Sequence, residues 1–172
     1  MALTIDRECT MPANYTVRVT KDHLVFCSGH FITYDGKQCE RLHGHNYRVA
    51  VEVSSPLDDN YYVFDFIALK KITMAICDEL DHRMMLPTRN PHIMVTTEGH
   101  QVNVTFEGKY WSFPLEDCIL LPLENTTAEL LAKYIADRIK PTLAHEYHYS
   151  PSTLTVEVEE SFGQSARYTE AH

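Results

Sequence analysis

The sequence predicts an α+β domain, on three observations. Period-two apolar alternation marks strands at both ends of the chain, helical periodicity marks two capped segments between them, and the order is strand, strand, helix, hairpin, helix, strand. In the first strand, Tyr15, Val17 and Val19 alternate within residues 14–26, which run on into Cys27-Ser28-Gly29-His30. Asp35-Gly36 is the turn of the loop that follows. His45 to Val53 then sets Tyr47, Val49, Val51 and Val53 against Asn46, Arg48, Ala50 and Glu52, the pattern of a half-buried strand antiparallel to the first.

Asp65 is placed to cap a helix with Ile67, Ile72, Ala75, Ile76 and Leu80 as its apolar positions, ending near Asp81-His82 and closed off by Pro87 and Pro91. Between Ile93 and Phe113 the alternation around Glu107-Gly108 reads as an inserted β-hairpin. Thr126 and Glu129 fit a capping box for a second helix, through Leu130, Leu131, Tyr134, Ile135 and Ile139 to Pro141. Thr153 to Glu160 is the closing strand, with residues 166–168 as a short partner.

With 172 residues, 44% of them hydrophobic, residues 1–172 are expected to form a single domain with one core. A net charge of -9 with scattered Lys and Arg excludes a nucleic-acid footprint, while leaving room for a local polyphosphate site. Met1 to Cys9 holds no long apolar run, so neither a signal peptide nor a membrane span is expected, and the location expected is cytoplasmic. Five cysteines without a C-x-x-C pair fit reduced thiols.

The strongest pattern is His43-Gly44-His45. Period-two geometry sends both imidazoles to one face at the start of a strand, and Gly44 lets the backbone approach its neighbour closely. His30, at the end of the preceding antiparallel strand, can join them. Three neutral imidazoles suit zinc and leave a coordination position for substrate or water, whereas structural zinc more usually recruits a fourth protein ligand. From the tripeptide alone, two satisfied strand histidines would explain it equally well. His145 and His148 lack metal-site spacing and read as solvated.

The surrounding residues decide between these readings. Cys39-Glu40-Arg41-Leu42-His43-Gly44-His45-Asn46-Tyr47 resembles the C-x-x-x-H-G-H-N-Y signature of the 6-pyruvoyl/6-carboxytetrahydropterin synthase family. Phe26 to His30, Val63 to Lys70, Leu80-Asp81-His82, Asn125 to Glu129 and Val156 to Ser161 resemble further family segments in the right order. Departures are the inserted hairpin, Thr126 where Pro is usual, Leu130 where Asn is usual, and Ser161 for Thr.

The resemblance implies the tunnelling fold, a four-stranded antiparallel sheet with two helices on one face. Three subunits join their sheets into a barrel, as a trimer or a stacked hexamer with sites between subunits; closure would abolish the exposed sheet edges. It implies zinc on His30, His43 and His45, acting on a dihydropterin triphosphate. Cys39 would be the base or proton shuttle, Asp81 and His82 a proton-carrying pair, and Glu160 the anchor for the pterin ring, with Thr127 and Glu129 lining its pocket. Without the resemblance, Asp81 and His82 would be a solvated helix end, Glu160 an exposed strand end, and Glu129 a capping residue.

The gap from Cys39 to His43 resembles the branch that converts 7,8-dihydroneopterin triphosphate to 6-carboxy-5,6,7,8-tetrahydropterin in queuosine biosynthesis. Glu40 also satisfies the E-x-x-H-G-H spacing of the branch that cleaves the side chain to 6-hydroxymethyl-7,8-dihydropterin for folate. The 6-pyruvoyl product is another alternative, and a zinc-binding scaffold subunit is the non-enzymatic one.

Overall fold

Two faces of one twisted sheet separate the apolar and the charged residues of this chain, and the candidate site lies where the apolar face runs out. The computed structural model describes residues 13–36 and 38–171. Cys9 lies outside them. In chain order, strands β1 (Tyr15–His30), β2 (Thr33–Tyr34), β3 (Gln38–Cys39) and β4 (His43–Ser55) precede helix α1 (Phe66–Leu80). Strands β5 (Arg83–Pro87), β6 (Met94–Glu98), β7 (Gln101–Phe106), β8 (Lys109–Pro114) and β9 (Cys118–Leu121) follow, then helix α2 (Ala128–Glu146) and strands β10 (Thr153–Ser161) and β11 (Gln164–Ala171).

The main sheet has the order β11-β10-β4-β1-β5-β9. Its first four strands are the antiparallel set expected. Beside them, β5 and β9 add two short parallel strands, so the sheet has six strands rather than four. Arg83 to Pro87 is too short to show a period, and its proline reads as a helix breaker; in the structure Met84, Met85 and Leu86 are buried beside β1. The insert also gains a strand. Its hairpin β7-β8 turns at Glu107-Gly108 as expected, and β6 pairs with β7 to make a three-stranded sheet.

Asp65 caps α1, its Oδ1 accepting from Ile67 N at 2.7 Å. The buried stripe is Ala68, Leu69, Ile72, Thr73, Ile76, Cys77 and Leu80, so Ile67 and Ala75 face outward, contrary to the periodic reading. We expect Asp65→Ala to lower stability by about 1 kcal/mol, the usual cost of a lost cap, measured by urea unfolding. An unchanged midpoint and slope would show that solvent replaces the cap.

In α2 the capping residue is Thr127, not Thr126: its hydroxyl accepts from Leu130 N at 3.5 Å. Thr126 is fully buried and points elsewhere. The helix also continues past Pro141 to Glu146, because Leu143 extends the buried row of Ile135 and Ile139 and packing offsets the hydrogen bond that proline forfeits.

Both helices cover one face of the sheet. There Val19, Leu24 and Phe26 of β1, Tyr47, Val49, Val51 and Val53 of β4, and Leu154, Val156 and Val158 of β10 form the core with Leu69, Ile76, Leu131 and Ile135. The opposite face carries an ion-pair ladder in which Arg18 and Arg167 each contact Glu52 and Glu157. A register shift between Thr20 and Val25 inserts extra residues into β1 and changes the inward parity from Val19 to Leu24, Phe26, Ser28 and His30. Without it His30 would face away from the helices. No helix among the described residues is long and apolar enough to cross a membrane.

Candidate active site

Along β4, the parity that buries Tyr47, Val49, Val51 and Val53 continues outward through His45 and His43. In β1 it continues to His30, and in β10 to Glu160. The β1-β4 register places His30 opposite His43 and Ser28 opposite His45, so three imidazoles converge where the core ends. Their ring centroids lie 4.7 to 5.2 Å apart. Gly29 faces Gly44 between them, and a Cβ on Gly44 would meet the Ser28 carbonyl oxygen at 3.0 Å.

Hydrogen bonds orient two of the rings. His30 Nδ1 is 3.1 Å from the Thr126 carbonyl oxygen, and His43 Nδ1 is 2.8 Å from that of Arg41. A carbonyl can only accept, so in the neutral ring the proton sits on Nδ1 and the lone pair on Nε2. Burial holds the His30 pKa below its usual value, against the opposing pull of Thr126 and Glu160, which favours that neutral form.

His30 is 1% exposed, and its Nε2 is buried without a hydrogen bond in a protein where most such atoms are paired. A ligand nitrogen from each of His30, His43 and His45 lies within 4.8 Å of the other two. An orphaned lone pair beside two more imidazoles is a donor set that fits a divalent metal such as zinc. Among the described residues this is the one such group of three, and His145 and His148 are not part of another.

Glu160 reaches toward the same nitrogens, its Oε1 lying 3.4 Å from His30 Nε2 and 3.7 Å from His45 Nε2, and it accepts from Tyr47 Oη at 3.3 Å. It also borders a cavity of about 370 Å³ together with Ile32, Thr127, Glu129 and Gln164. Thus the three residues expected to bind substrate share one cavity beside the imidazoles.

Glu40 Oε2 lies 4.0 Å from His43 Nε2. Cys39 is half-buried in β3 and packs against the insert, where Phe31 stacks on Trp111 at 4.8 Å and Lys109 Nζ donates to the Cys39 carbonyl at 3.0 Å. Burial raises the Cys39 pKa, with Lys109 partly opposing. The insert is therefore a wall behind the Cys39 loop. Among the other described cysteines, Cys77 is fully buried, Cys118 is half-buried and Cys27 is exposed.

Asp81 and His82 stand apart. Asp81 Oδ1 accepts from Cys27 N at 2.7 Å and its Oδ2 pairs with His82 Nδ1 at 2.7 Å. Although desolvation opposes it, these bonds hold the Asp81 carboxyl below its usual range. His82 takes the left-handed conformation, φ 54°, and its side chain is 83% exposed. Neither residue bonds to the imidazoles or to Cys39 within the chain.

Sequence reasoning missed Tyr47 as a partner of Glu160, although its parity with His43 and His45 was visible, and it missed Thr126 as the partner of His30. Nothing in the sequence signalled the role of Asn90, described below.

Residues 18–171 match the family model described as 6-pyruvoyl tetrahydropterin synthase. The chain is 38% identical over 146 residues to a protein of Methanocaldococcus jannaschii provisionally named 6-carboxy-5,6,7,8-tetrahydropterin synthase, covering 84% of this chain and 89% of that one. It is 31% identical over 129 residues to the 6-carboxy-5,6,7,8-tetrahydropterin synthase of Aquifex aeolicus, covering 73% of each. Its fold is similar to a Plasmodium vivax 6-pyruvoyltetrahydropterin synthase, with a TM-score of 0.86 and 26% identity over 93% of this chain and 99% of the other. That structure is described as a catalytic-residue mutant, a glutamate replaced by alanine.

Proposed function

The chain belongs to the 6-pyruvoyl tetrahydropterin synthase family, and we propose that it converts 7,8-dihydroneopterin triphosphate and one water to 6-carboxy-5,6,7,8-tetrahydropterin, with loss of triphosphate and acetaldehyde. The observation that carries this reading is the convergence of three imidazoles beside a cavity lined by Thr127, Glu129 and Glu160. The Methanocaldococcus and Aquifex relatives, both named for the 6-carboxy product, support it.

His30, His43 and His45 would hold the metal. Bound there, zinc supplies a Lewis acid that lowers the pKa of substrate hydroxyls. Glu160 accepts hydrogen bonds from the pterin ring N-H and 2-amino groups, for which a carboxylate offers two parallel acceptors. Thr127 and Glu129 border the ring. Cys39 takes and returns the side-chain proton, and His82, oriented by Asp81, acts on the same substrate from a neighbouring subunit.

A homo-oligomer, trimer or hexamer, accounts for that division. Among the described residues the edge strands β11 and β9 each have a strand partner on one side alone, and the Asp81-His82 pair is exposed away from its own imidazoles.

A second reading is favoured by Glu40, which lies 4.0 Å from His43 Nε2. A glutamate is the catalytic residue replaced in the Plasmodium vivax enzyme. Glu40 would support cleavage of the side chain to 6-hydroxymethyl-7,8-dihydropterin. Chromatography of the pterins formed from 7,8-dihydroneopterin triphosphate decides: the 6-carboxy product is expected to dominate. A product mixture consisting only of the 6-pyruvoyl or 6-hydroxymethyl compound would replace the first reading.

A further inference from the structure

Asn90 lies in the loop between β5 and β6, outside every motif in the chain, and is 8% exposed. A carboxamide offers two donors and an oxygen with two lone pairs, and here all four are used. Its Nδ2 donates to Thr33 Oγ1 at 3.0 Å and to the Glu124 carbonyl at 2.7 Å. Its Oδ1 accepts from His92 N at 2.9 Å and Ile93 N at 3.0 Å. The amide orientation is fixed by these partners, since flipping it would set donors against N-H groups.

Asn125 grips the same strand from the other side. Its Oδ1 accepts from Thr33 N at 3.3 Å and from Thr126 N at 3.2 Å, and its Nδ2 donates to the Thr33 carbonyl at 2.9 Å. Thr33 is thus held at its N-H, its carbonyl and its hydroxyl. It pairs with Cys39 across β2-β3 and sits three residues beyond His30. Thr126, fixed through its N-H, presents its carbonyl to His30 Nδ1, and its Oγ1 lies 3.3 Å from the same nitrogen.

We propose that Asn90 and Asn125 form an amide clamp on Thr33 that sets the orientation of the His30 metal ligand together with the placement of the Cys39-Glu40 loop. Both are positioning residues, and neither contacts the imidazoles. The clamp also ties the insert to the site, because Ile93 and His92 open the segment leading into β6. This inference rests on the metal reading of His30, His43 and His45.

Partners that orient a ligating histidine typically contribute 10- to 100-fold in metal affinity. Zinc affinity, measured by chelator competition on the full-length protein, is expected to fall about 10-fold in Asn90→Ala and in Asn125→Ala. Leu143→Ala in the core, matched for loss of melting temperature, is the control expected to keep wild-type affinity. Asn90→Asp separates the clamp from a local turn role. It keeps the acceptor for His92 N and Ile93 N but loses both donors, so the clamp requires it to behave like Asn90→Ala, with the visible spectrum of the cobalt-substituted site altered in both.

Wild-type affinity in Asn90→Asp, or equal losses in Leu143→Ala, would overturn the clamp while the metal reading stands. Should the alanine variants not fold, Thr33→Val removes only the hydroxyl that Asn90 donates to, and undiminished affinity there would overturn it equally. A wild-type protein that binds no zinc would overturn both.

Discussion

The wild-type protein should carry about one zinc per chain, and His43→Ala and His45→Ala should each lose most of it, as expected of a three-imidazole site. The physical reason is the geometry of β1 and β4, which brings three imidazoles together; the carboxylate beside His30 and His45, that of Glu160, already accepts from Tyr47 Oη. Turnover of the pterin substrate should fall at least about 100-fold, since losing a metal that stabilises developing charge costs several kcal/mol. His43 and His45 are preferable to His30 for this test. His30 is buried against Thr126, so its replacement also leaves a cavity and unpaired groups, whereas His43 and His45 stand at the mouth of the site. Metal analysis after gel filtration gives the answer, and full retention of zinc in both variants would end the metal assignment.

Cys39→Ala should abolish the 6-carboxy product, a loss of about 100-fold or more for removal of a general base, while sparing some cleavage to the 6-hydroxymethyl product. Glu40→Ala should do the reverse. The two residues are adjacent, yet the structure gives them different surroundings. Glu40 reaches to 4.0 Å from His43 Nε2, while Cys39 is packed against Phe31 and the insert with Lys109 on its carbonyl. A half-buried thiol and a carboxylate at the edge of the imidazole group differ in both basicity and approach, so each can serve a different proton of one substrate. Products should be separated at equal zinc content, so that lost metal is not mistaken for a lost base. If Glu40→Ala leaves every product and rate unchanged, Glu40 is a solvated loop residue and one base carries the reaction.

The histidines were legible because strand period and register do the same work in sequence and space. His43 and His45 share a parity, and one antiparallel pairing brings His30 to them. The two helices were legible for the same reason, and Asp65 announced the first of them. The register shift in β1 was not, although residues 15–19 and 24–30 alternate on opposite parities; a break in alternation reads as a strand end unless the partner strand is known. Arg83 to Pro87 and Cys118 to Leu121 are too short to carry a period, and only pairing, β5 with β1 and β9 with β5, makes them strands. Thr126 and Thr127 show how a shift of one residue matters: the capping-box spacing points to Thr126, whereas the structure uses Thr127 as the cap and Thr126 to orient His30. Asn90 illustrates what no pattern encodes, a side chain that holds its own loop at His92 and Ile93 and also donates to Thr33 and Glu124, both distant in the chain.

On the proposal that these imidazoles make the chain a zinc-dependent pterin lyase, consumption of 7,8-dihydroneopterin triphosphate is followed for the purified protein in three states: as isolated, stripped by a chelator, and stripped then restored with zinc. Turnover that vanishes on stripping and returns with about one zinc per chain is the expected result. Undiminished turnover by the stripped protein, with metal analysis confirming that zinc is gone, would contradict it.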